Sequence, residues 1–235
     1  MELNKIYNED CLIGMNEIAN ESVDALIADP PYNIARDNNF TTMGRAGIDF
    51  GEWDKGFNLI SWLPIAIEKL KKGGNIIIFT SWKSTTPIIK ELEKTNCEAK
   101  DMIRVEKSNP MPRNRDRRFV TDYEIAIWAV KKCAKWTFNR KSETYERPLI
   151  KTKVTPKSEK INGGHPTQKN IETMEWIVER LTNECDVVLD PFMGSGTTAV
   201  ACINTNRNYI GFELDEGYYD IANERISKTL KSETS

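Results

Sequence analysis

The chain has 235 residues, of which 39% are hydrophobic and 29% charged, and its formal net charge is −2. A chain of this length buries roughly 70% of its unfolded surface, so it needs neither disulfides nor a structural metal to fold. Five cysteines without a Cys-x-x-Cys pair, and a single histidine, argue against a metal site and for reduced thiols in a cytoplasmic protein. No apolar stretch approaches the roughly 20 residues that a membrane span needs.

Strand-like and helix-like segments alternate along the chain, which predicts a mostly parallel α/β sheet with helices on both faces. Strands are expected at 23–28, 75–79, 101–105, 123–130, 186–189 and 208–213. Helices are expected at 57–71, 84–95, 169–183, 195–204 and 215–230. Gly73 and Gly74 are expected to end the first of these helices, and Trp62, Trp82 and Trp176 to fill the core. We expect one domain over residues 1–235.

Two segments interrupt this alternation. Residues 33–56 are rich in Asn, Gly, Asp and Thr, and residues 133–168 are rich in Lys, Ser, Thr and Pro. Structureless loops of such length in a compact domain are usually functional or mobile. We expect the first to be a mobile loop near the active site and the second to be a short target-recognition region.

Basic residues are concentrated in the middle of the chain. From Arg104 to Lys160 there are sixteen Lys and Arg against seven Asp and Glu, a local charge of +9 that leaves −11 for the rest. Such a segment is either an ordinary solvated face or a surface that contacts nucleic acid. Interleaved aromatic residues favour the second interpretation. The expected DNA contacts are Arg45, Lys107, Asn109, Arg113, Arg115, Arg117, Arg118, Arg140 and Lys141.

The tetrapeptide Asp29-Pro30-Pro31-Tyr32 follows the first predicted strand. An isolated Pro-Pro pair is often only a rigid turn. In a catalytic site, however, each residue has a use. Asp29 and the carbonyl of Pro30 are two acceptors, matching the two donors of an exocyclic amino group, and Tyr32 offers a flat face on which an extruded base can stack. The tetrapeptide therefore suits methyl transfer to a planar amino group.

A second motif, Asp190-Pro191-Phe192-Met193-Gly194-Ser195-Gly196-Thr197, follows another predicted strand. The glycines alone could serve a tight turn, but Glu213 ends the next strand, where a carboxylate can accept from ribose hydroxyls. The chain has no G-x-x-x-x-G-K-[ST] sequence, which excludes a P-loop nucleoside triphosphatase. Because ligands collect at the carboxyl ends of parallel strands, the two motifs are expected to share one crevice.

Taken together and in this order, the motifs resemble the S-adenosylmethionine-dependent amino-methyltransferases of DNA, in the permuted β group whose catalytic tetrapeptide precedes the cofactor glycines. Six further pieces match the family in order, namely Asn8-Glu9-Asp10-Cys11, Gly73-Gly74-Asn75, Lys107-Ser108-Asn109-Pro110, Asp122-Tyr123-Glu124, His165-Pro166-Thr167-Gln168-Lys169 and Gly211-Phe212-Glu213-Leu214-Asp215. The resemblance covers most of the chain and implies a Rossmann-like methyltransferase fold with S-adenosylmethionine as cofactor.

The resemblance also assigns site residues. The catalytic ones are Asp29, Pro30, Pro31 and Tyr32. It implies that Asp10 contacts the adenine of the cofactor, that Glu213 contacts the ribose, and that the 190–197 loop with residues 165–167 holds the methionine end. The full expected cofactor set is Asp10, Cys11, Asp29, His165, Pro166, Thr167, Asp190, Pro191, Phe192, Gly194, Ser195, Gly196, Thr197, Glu213 and Leu214.

The target expected from the resemblance is N6 of adenine, since N4-cytosine enzymes usually carry serine where this chain has Asp29. Segment Asn38–Asp54 resembles companion methylases of restriction systems that recognise GATC. The expected partners are double-stranded DNA, with single-stranded DNA as an alternative, a second copy of the chain, and a cognate endonuclease. The alternatives left open are an N4-cytosine enzyme, an RNA or protein-amide methylase, a non-catalytic binding module and a dehydrogenase.

Overall fold

The computed structural model describes residues 1–31, 57–110, 116–117, 119–156, 159, 161 and 168–233. These residues form one eight-stranded sheet in the order β1-β8-β7-β2-β3-β5-β4-β6. The strands are β1 Lys5–Tyr7, β2 Val23–Ala28, β3 Leu70–Thr80, β4 Cys97–Lys107, β5 Tyr123–Lys131, β6 Leu149–Thr152, β7 Val187–Asp190 and β8 Asn208–Phe212. Among these described strands only β5 is antiparallel to its neighbours, so the predicted mostly parallel sheet is confirmed.

Six α-helices accompany the described strands. They are α1 Cys11–Gly14, α2 Leu63–Lys69, α3 Thr85–Lys94, α4 Ile171–Leu181, α5 Thr197–Asn204 and α6 Glu216–Glu233. Helix α4 begins at Asn170, whose side chain accepts from the backbone N–H of Glu172, and it buries the predicted apolar stripe that includes Met174, Ile177 and Val178. No helix in the described ranges is long and apolar enough to cross a membrane.

The core lies on both faces of the sheet. In β2, Ala25 and Ile27 belong to the apolar cluster that includes Ile177 of α4, whereas Leu26 belongs to the cluster on the other face, with Leu63 of α2. A strand that is covered on both faces is apolar at successive positions rather than at alternate ones. This two-sided burial explains why β2 is readable in the sequence as a continuous apolar run.

The structure differs from the sequence prediction at several elements. Helix α2 ends at Lys69, and Gly73 lies within β3 at φ 77°, close to a register shift against β2, so the two glycines do not end a helix. Strand β6 lies inside the segment 133–168, which is therefore not structureless throughout, and the short strand β1 is a further element that the sequence does not predict. Trp62 is buried, but Trp82 is 69% exposed.

Parallel pairing brings the two motifs to one edge of the sheet. Strand β2 pairs with β7 through Leu26 and Leu189, and β7 pairs with β8 through Asp190 and Gly211. The carboxyl ends of β1, β8, β7, β2 and β3 therefore lie side by side. We call this the active edge of the sheet.

Candidate active site

The Asp29-Pro30-Pro31 corner leaves β2 at the active edge. Pro30 is buried, and the side chain of Asp29 is 21% exposed. Since Ala28 pairs with Ile78, the next position along β2 lies beside Phe79 of β3. Tyr32 falls outside the described residues. The corner thus presents a carboxylate and a backbone carbonyl at the point where β2 leaves the core.

The 190–197 loop leaves the neighbouring strand β7. The carboxylate of Asp190 is 3% exposed, and its Oδ1 accepts from the backbone N–H of Phe192 at 2.9 Å. The Phe192 ring packs edge-on against Phe57 and Trp62, with ring centroids 5.4 and 5.0 Å apart. Pro191 is buried behind it. Aromatic packing and the Asp190 acceptor together fix the start of the loop.

Burial raises the pKa of Asp190 to about 7. The hydrogen bonds from Thr198 and from the Phe192 backbone favour the ionised form, but they do not offset desolvation, and the carboxylates of Asp29 and Glu213 act in the same direction as burial. The active edge therefore gathers three carboxyl groups from three adjacent strands. Such a cluster is electrostatically suited to a cationic ligand.

Glu213 follows β8 and reaches across to the 190–197 loop. Its Oε2 accepts from the backbone N–H of Gly194 at 2.7 Å, and its Oε1 accepts from that of Asp215 at 2.9 Å. Burial raises the pKa of Glu213. Each carboxylate oxygen has two acceptor positions, so Glu213 retains capacity for hydroxyl donors.

The start of the chain lies next to Glu213. Asn8 donates to the backbone oxygens of Glu213 at 2.8 Å and Leu214 at 3.2 Å, and Oδ1 of Asp10 accepts from the backbone N–H of Leu12 at 2.8 Å, capping α1. Cys11 is buried, and burial raises the pKa of its thiol to about 12. Asp10 and Glu213, which are 203 positions apart in the sequence, thus flank one end of the active edge.

One of the two loop glycines, Gly194, leaves open space beside Glu213. Gly194 has φ 53°, and a Cβ placed there would meet nothing within 4 Å, whereas a Cβ on Gly196, at φ 80°, would come within 3.0 Å of Ala222. Open space at Gly194, beside the carboxylate of Glu213, fits an adenosine-bearing cofactor that presents hydroxyl donors. The structure thus brings Asp29, Asp190 and Glu213 together at the active edge, with Asp10 next to the segment that carries Glu213.

A buried arginine that sequence analysis did not single out holds the end of this loop. Nη1 of Arg225, in α6, donates to the backbone oxygen of Ser195 at 2.5 Å, to its Oγ at 3.1 Å and to Oγ1 of Thr197 at 3.0 Å. Ser195 Oγ also donates to Oε1 of Gln168 at 3.2 Å. Both loop hydroxyls therefore have protein partners. No local pattern in α6 marks Arg225 as a site residue, since its partners lie about 30 positions earlier in the chain.

A family model described as DNA methylase matches residues 23–224, a range that includes both motifs. The chain belongs to the DNA methylase family. The type II methyltransferase M2.MboI of Moraxella bovis is 30% identical to this methylase over 97% of this chain and 90% of that protein. M2.LlaDCHI of Lactococcus lactis subsp. cremoris, also a type II methyltransferase, is 32% identical over 91% of this chain and 86% of its own length.

Among solved structures, the M1.HpyAVI complex with S-adenosylmethionine aligns with the methylase at a TM-score of 0.77 and 40% identity. The alignment covers 94% of this chain and 98% of that one. The predicted Rossmann-like methyltransferase fold is confirmed.

The residues expected to contact DNA do not all lie together in the methylase. Lys107 and Asn109 are at the carboxyl end of β4, at the same edge of the sheet as Asp29, and Oδ1 of Asn109 accepts from the backbone N–H of Val154 at 2.8 Å. Arg117 is exposed. Arg45, Arg113, Arg115 and Arg118 lie outside the described residues, as do His165, Pro166 and Thr167 of the expected cofactor site.

Arg140 and Lys141 lie at the opposite edge of the sheet. Their neighbour Asn139 donates to the backbone oxygens of Glu179 at 3.1 Å and Thr182 at 2.7 Å, at the carboxyl end of α4. Helix α4 begins at the active edge and ends at the far edge, so these two basic residues are separated from the crevice by the length of the helix. The prediction that they act with Lys107 on one DNA surface gains no support from this placement.

Proposed function

We propose that this methylase transfers a methyl group from S-adenosylmethionine to N6 of adenine in double-stranded DNA, after the base has been flipped out of the helix. The observation that carries the proposal is the Asp29-Pro30 corner on β2, one strand away from the loop of Asp190 and Gly194. A target amine held at the corner and a cofactor held at the loop would lie side by side. Membership of the DNA methylase family supports the same conclusion.

The corner offers the two acceptors that an exocyclic amino group needs. The Asp29 carboxylate can accept one N–H, and the carbonyl of Pro30, whose nitrogen carries no hydrogen, can accept the other. Hydrogen bonds that hold both amino hydrogens out of the plane of the base reduce the conjugation of the nitrogen lone pair with the ring. The lone pair then points at the methyl donor. Extruding the base costs a few kcal/mol, which stacking on Tyr32 and contacts to the DNA backbone offset.

Glu213 and Asp10 are the residues that would hold the adenosine part of the cofactor, and the 190–197 loop with residues 165–167 would hold its methionine part. S-adenosylmethionine supplies a methyl group made electrophilic by the attached sulfonium. The carboxylates of Asp29, Asp190 and Glu213 favour this cation at the active edge. The methylated nitrogen then loses its extra proton to water.

The finer parts of the proposal concern target and partners. The curated relatives are type II methyltransferases, which supports a role beside a restriction endonuclease. The resemblance of segment Asn38–Asp54 to GATC methylases supports GATC as the site, and Lys107, Asn109 and Arg117, with the arginines at 45, 113, 115 and 118, are the proposed DNA contacts. A short recognition region over 133–168 favours a homodimer that reads the site jointly.

Expression in a host without DNA methylation tests the proposal. Mass analysis of nucleosides from the host DNA is expected to reveal N6-methyladenine, and sequencing of modified positions is expected to place it in one short site. N4-methylcytosine instead, or no modified base, would contradict it. Asp29→Ala is expected to abolish turnover while S-adenosylmethionine still binds, whereas Asp220→Ala, at an exposed position of α6, retains activity.

A further inference from the structure

A buried lysine contacts the catalytic corner. Lys169 immediately precedes the Asn170 cap of α4, and its side chain is 8% exposed. Its Nζ forms an ion pair with Oδ2 of Asp29, which is 140 positions away in the sequence. The same Nζ lies 3.8 Å from Oε2 of Glu124 and 5.0 Å from the centre of the Phe79 ring.

The pair belongs to a row of alternating charges that extends from β4 across β5 and β3 to β2. Glu124, at the start of β5, is also ion-paired with Lys107 at the end of β4, so the order is Lys107, Glu124, Lys169 and Asp29. Burial by itself lowers the pKa of Lys169, but the carboxylates of Asp29 and Glu124, with Asp190 further off, leave it raised. The two carboxylates therefore favour the charged form of Lys169.

Glu124 shows the same balance with the opposite sign. Burial by itself raises the pKa of Glu124, but the ammonium groups of Lys169 and Lys107 leave it lowered. Two cations and two carboxylates thus neutralise each other, which is the condition under which buried charges are tolerated. If Lys169 were removed, Glu124 would still be paired with Lys107. Asp29 would lose the ion pair that it forms with Lys169 in this row.

The backbone of Lys169 contacts the other half of the site. Its carbonyl oxygen accepts from Oγ1 of Thr197 at 3.4 Å, and Thr197 is itself held by Arg225. Lys169 therefore contacts Asp29 through its side chain and the 190–197 loop through its backbone.

We propose that Lys169 is a positioning residue for methyl transfer: its ammonium orients the Asp29 carboxylate, and its backbone keeps that carboxylate in register with the 190–197 loop. The inference rests on the proposed function, since it assigns a role in that reaction. Lys169 touches neither the amine nor the methyl group and acts through Asp29. The interaction is charge-assisted and partly buried, a setting in which a hydrogen bond is stronger than it is in water.

Three variants of the full chain test the proposal. Lys169→Met removes the charge and the donor at similar length, and Lys169→Gln removes the charge but keeps an N–H donor. Lys71→Met is the matched control, because Lys71 pairs with Asp24 at 2.7 Å, at the other end of β2. Single-turnover methylation of a DNA duplex, the Kd of S-adenosylmethionine and the melting temperature are measured for each.

Lys169→Met is expected to slow the single-turnover rate by about 100-fold, the effect of misplacing a reacting group by about 1 Å. Its Kd for S-adenosylmethionine is expected to stay within about threefold of wild type, because the backbone contact to Thr197 persists. Lys169→Gln is expected to retain part of the wild-type single-turnover rate. Lys71→Met is expected to retain the full wild-type rate. If Lys169 had a purely structural role, Lys169→Met would instead lower the melting temperature and weaken cofactor binding together.

The outcomes separate this inference from the proposed function. An inactive wild type would overturn the proposed function. An active wild type, with Lys169→Met as fast as Lys71→Met, would overturn the role of Lys169 alone. If Lys169→Met does not fold, Lys169→Gln decides, because a wild-type rate in that variant would refute the need for the charge.

Discussion

Replacing Asp190 with Asn is expected to remove a pH-dependent loss of folding stability that arises from this buried carboxyl group at the active edge. The carboxyl group of Asp190 is 3% exposed, and burial raises its pKa from the ordinary value of 3.8 to about 7. The folded protein therefore holds this proton more tightly than the unfolded chain does. Stability that comes from this group is fully present below pH 3.8 and is lost as the pH rises through 7.

The size of the effect follows from the two pKa values. They differ by about three pH units, which corresponds to about 4 kcal/mol of unfolding free energy, of which about 3 kcal/mol is lost between pH 5 and pH 8. Asn has nearly the same shape, and its Oδ1 can still accept from the backbone N–H of Phe192. Because it has no charge to bury, the variant is expected to be more stable than wild type at pH 8.

Urea unfolding of both proteins at intervals from pH 5 to pH 8 measures this difference. Burial also raises the pKa values of Glu213, Asp186 and Glu159, but these groups are common to both proteins, so their contributions cancel in the comparison. Asp220→Asn at an exposed position serves as the control. A stability difference between Asp190→Asn and wild type that does not change with pH would refute the argument that Asp190 ionises while buried.

Two further substitutions probe the loop and the strand beside it. Glu213→Gln exchanges a charged acceptor for an amide of the same shape. Calorimetry is expected to show that S-adenosylmethionine binds about 10- to 100-fold more weakly, because hydrogen bonds to a charged group contribute this much. An unchanged Kd would remove Glu213 from the cofactor site. Gly211→Ala places a Cβ 2.1 Å from Cε of Met193, so that this buried side chain must shift, and the variant is expected to be less stable by about 1 kcal/mol through overpacking. Gly217→Ala, whose Cβ would approach only Oδ1 of Asp215 at 3.2 Å, is the control, and equal unfolding midpoints for the two alanine variants would contradict the packing argument.

Local pattern was sufficient to predict the elements that position the site. Strand β2 lies at 23–28 as predicted, because burial on both faces makes it a continuous apolar run. Helix α4 lies within its predicted range, since its apolar stripe has the helical period. A motif placed directly after a parallel strand must lie at the carboxyl edge of the sheet. The meeting of Asp29 with Asp190 follows from that rule.

Short or irregular features could not be predicted in this way. Strands β1 and β6 have three and four residues, too few to show a period, and they exist because neighbouring strands β8 and β4 offer free edges for pairing. Gly73 reads as a helix stop, but it lies at an irregular point of β3. Trp82 has core-like chemistry, yet it lies in the turn after β3, beyond the cover of the sheet.

The sequence by itself therefore determined the α/β class, the positions of the main strands along the chain and the two motifs that follow them. Only the tertiary structure decided which side chains support them. Arg225 reaches Ser195, Lys169 joins Asp29, and Arg140 lies at the far edge rather than beside the crevice. The physical reason is the distance along the sequence over which each kind of interaction acts. Periodicity reports how one segment is buried, whereas an ion pair between residues 140 positions apart depends on how separate elements pack, and no local pattern contains that information.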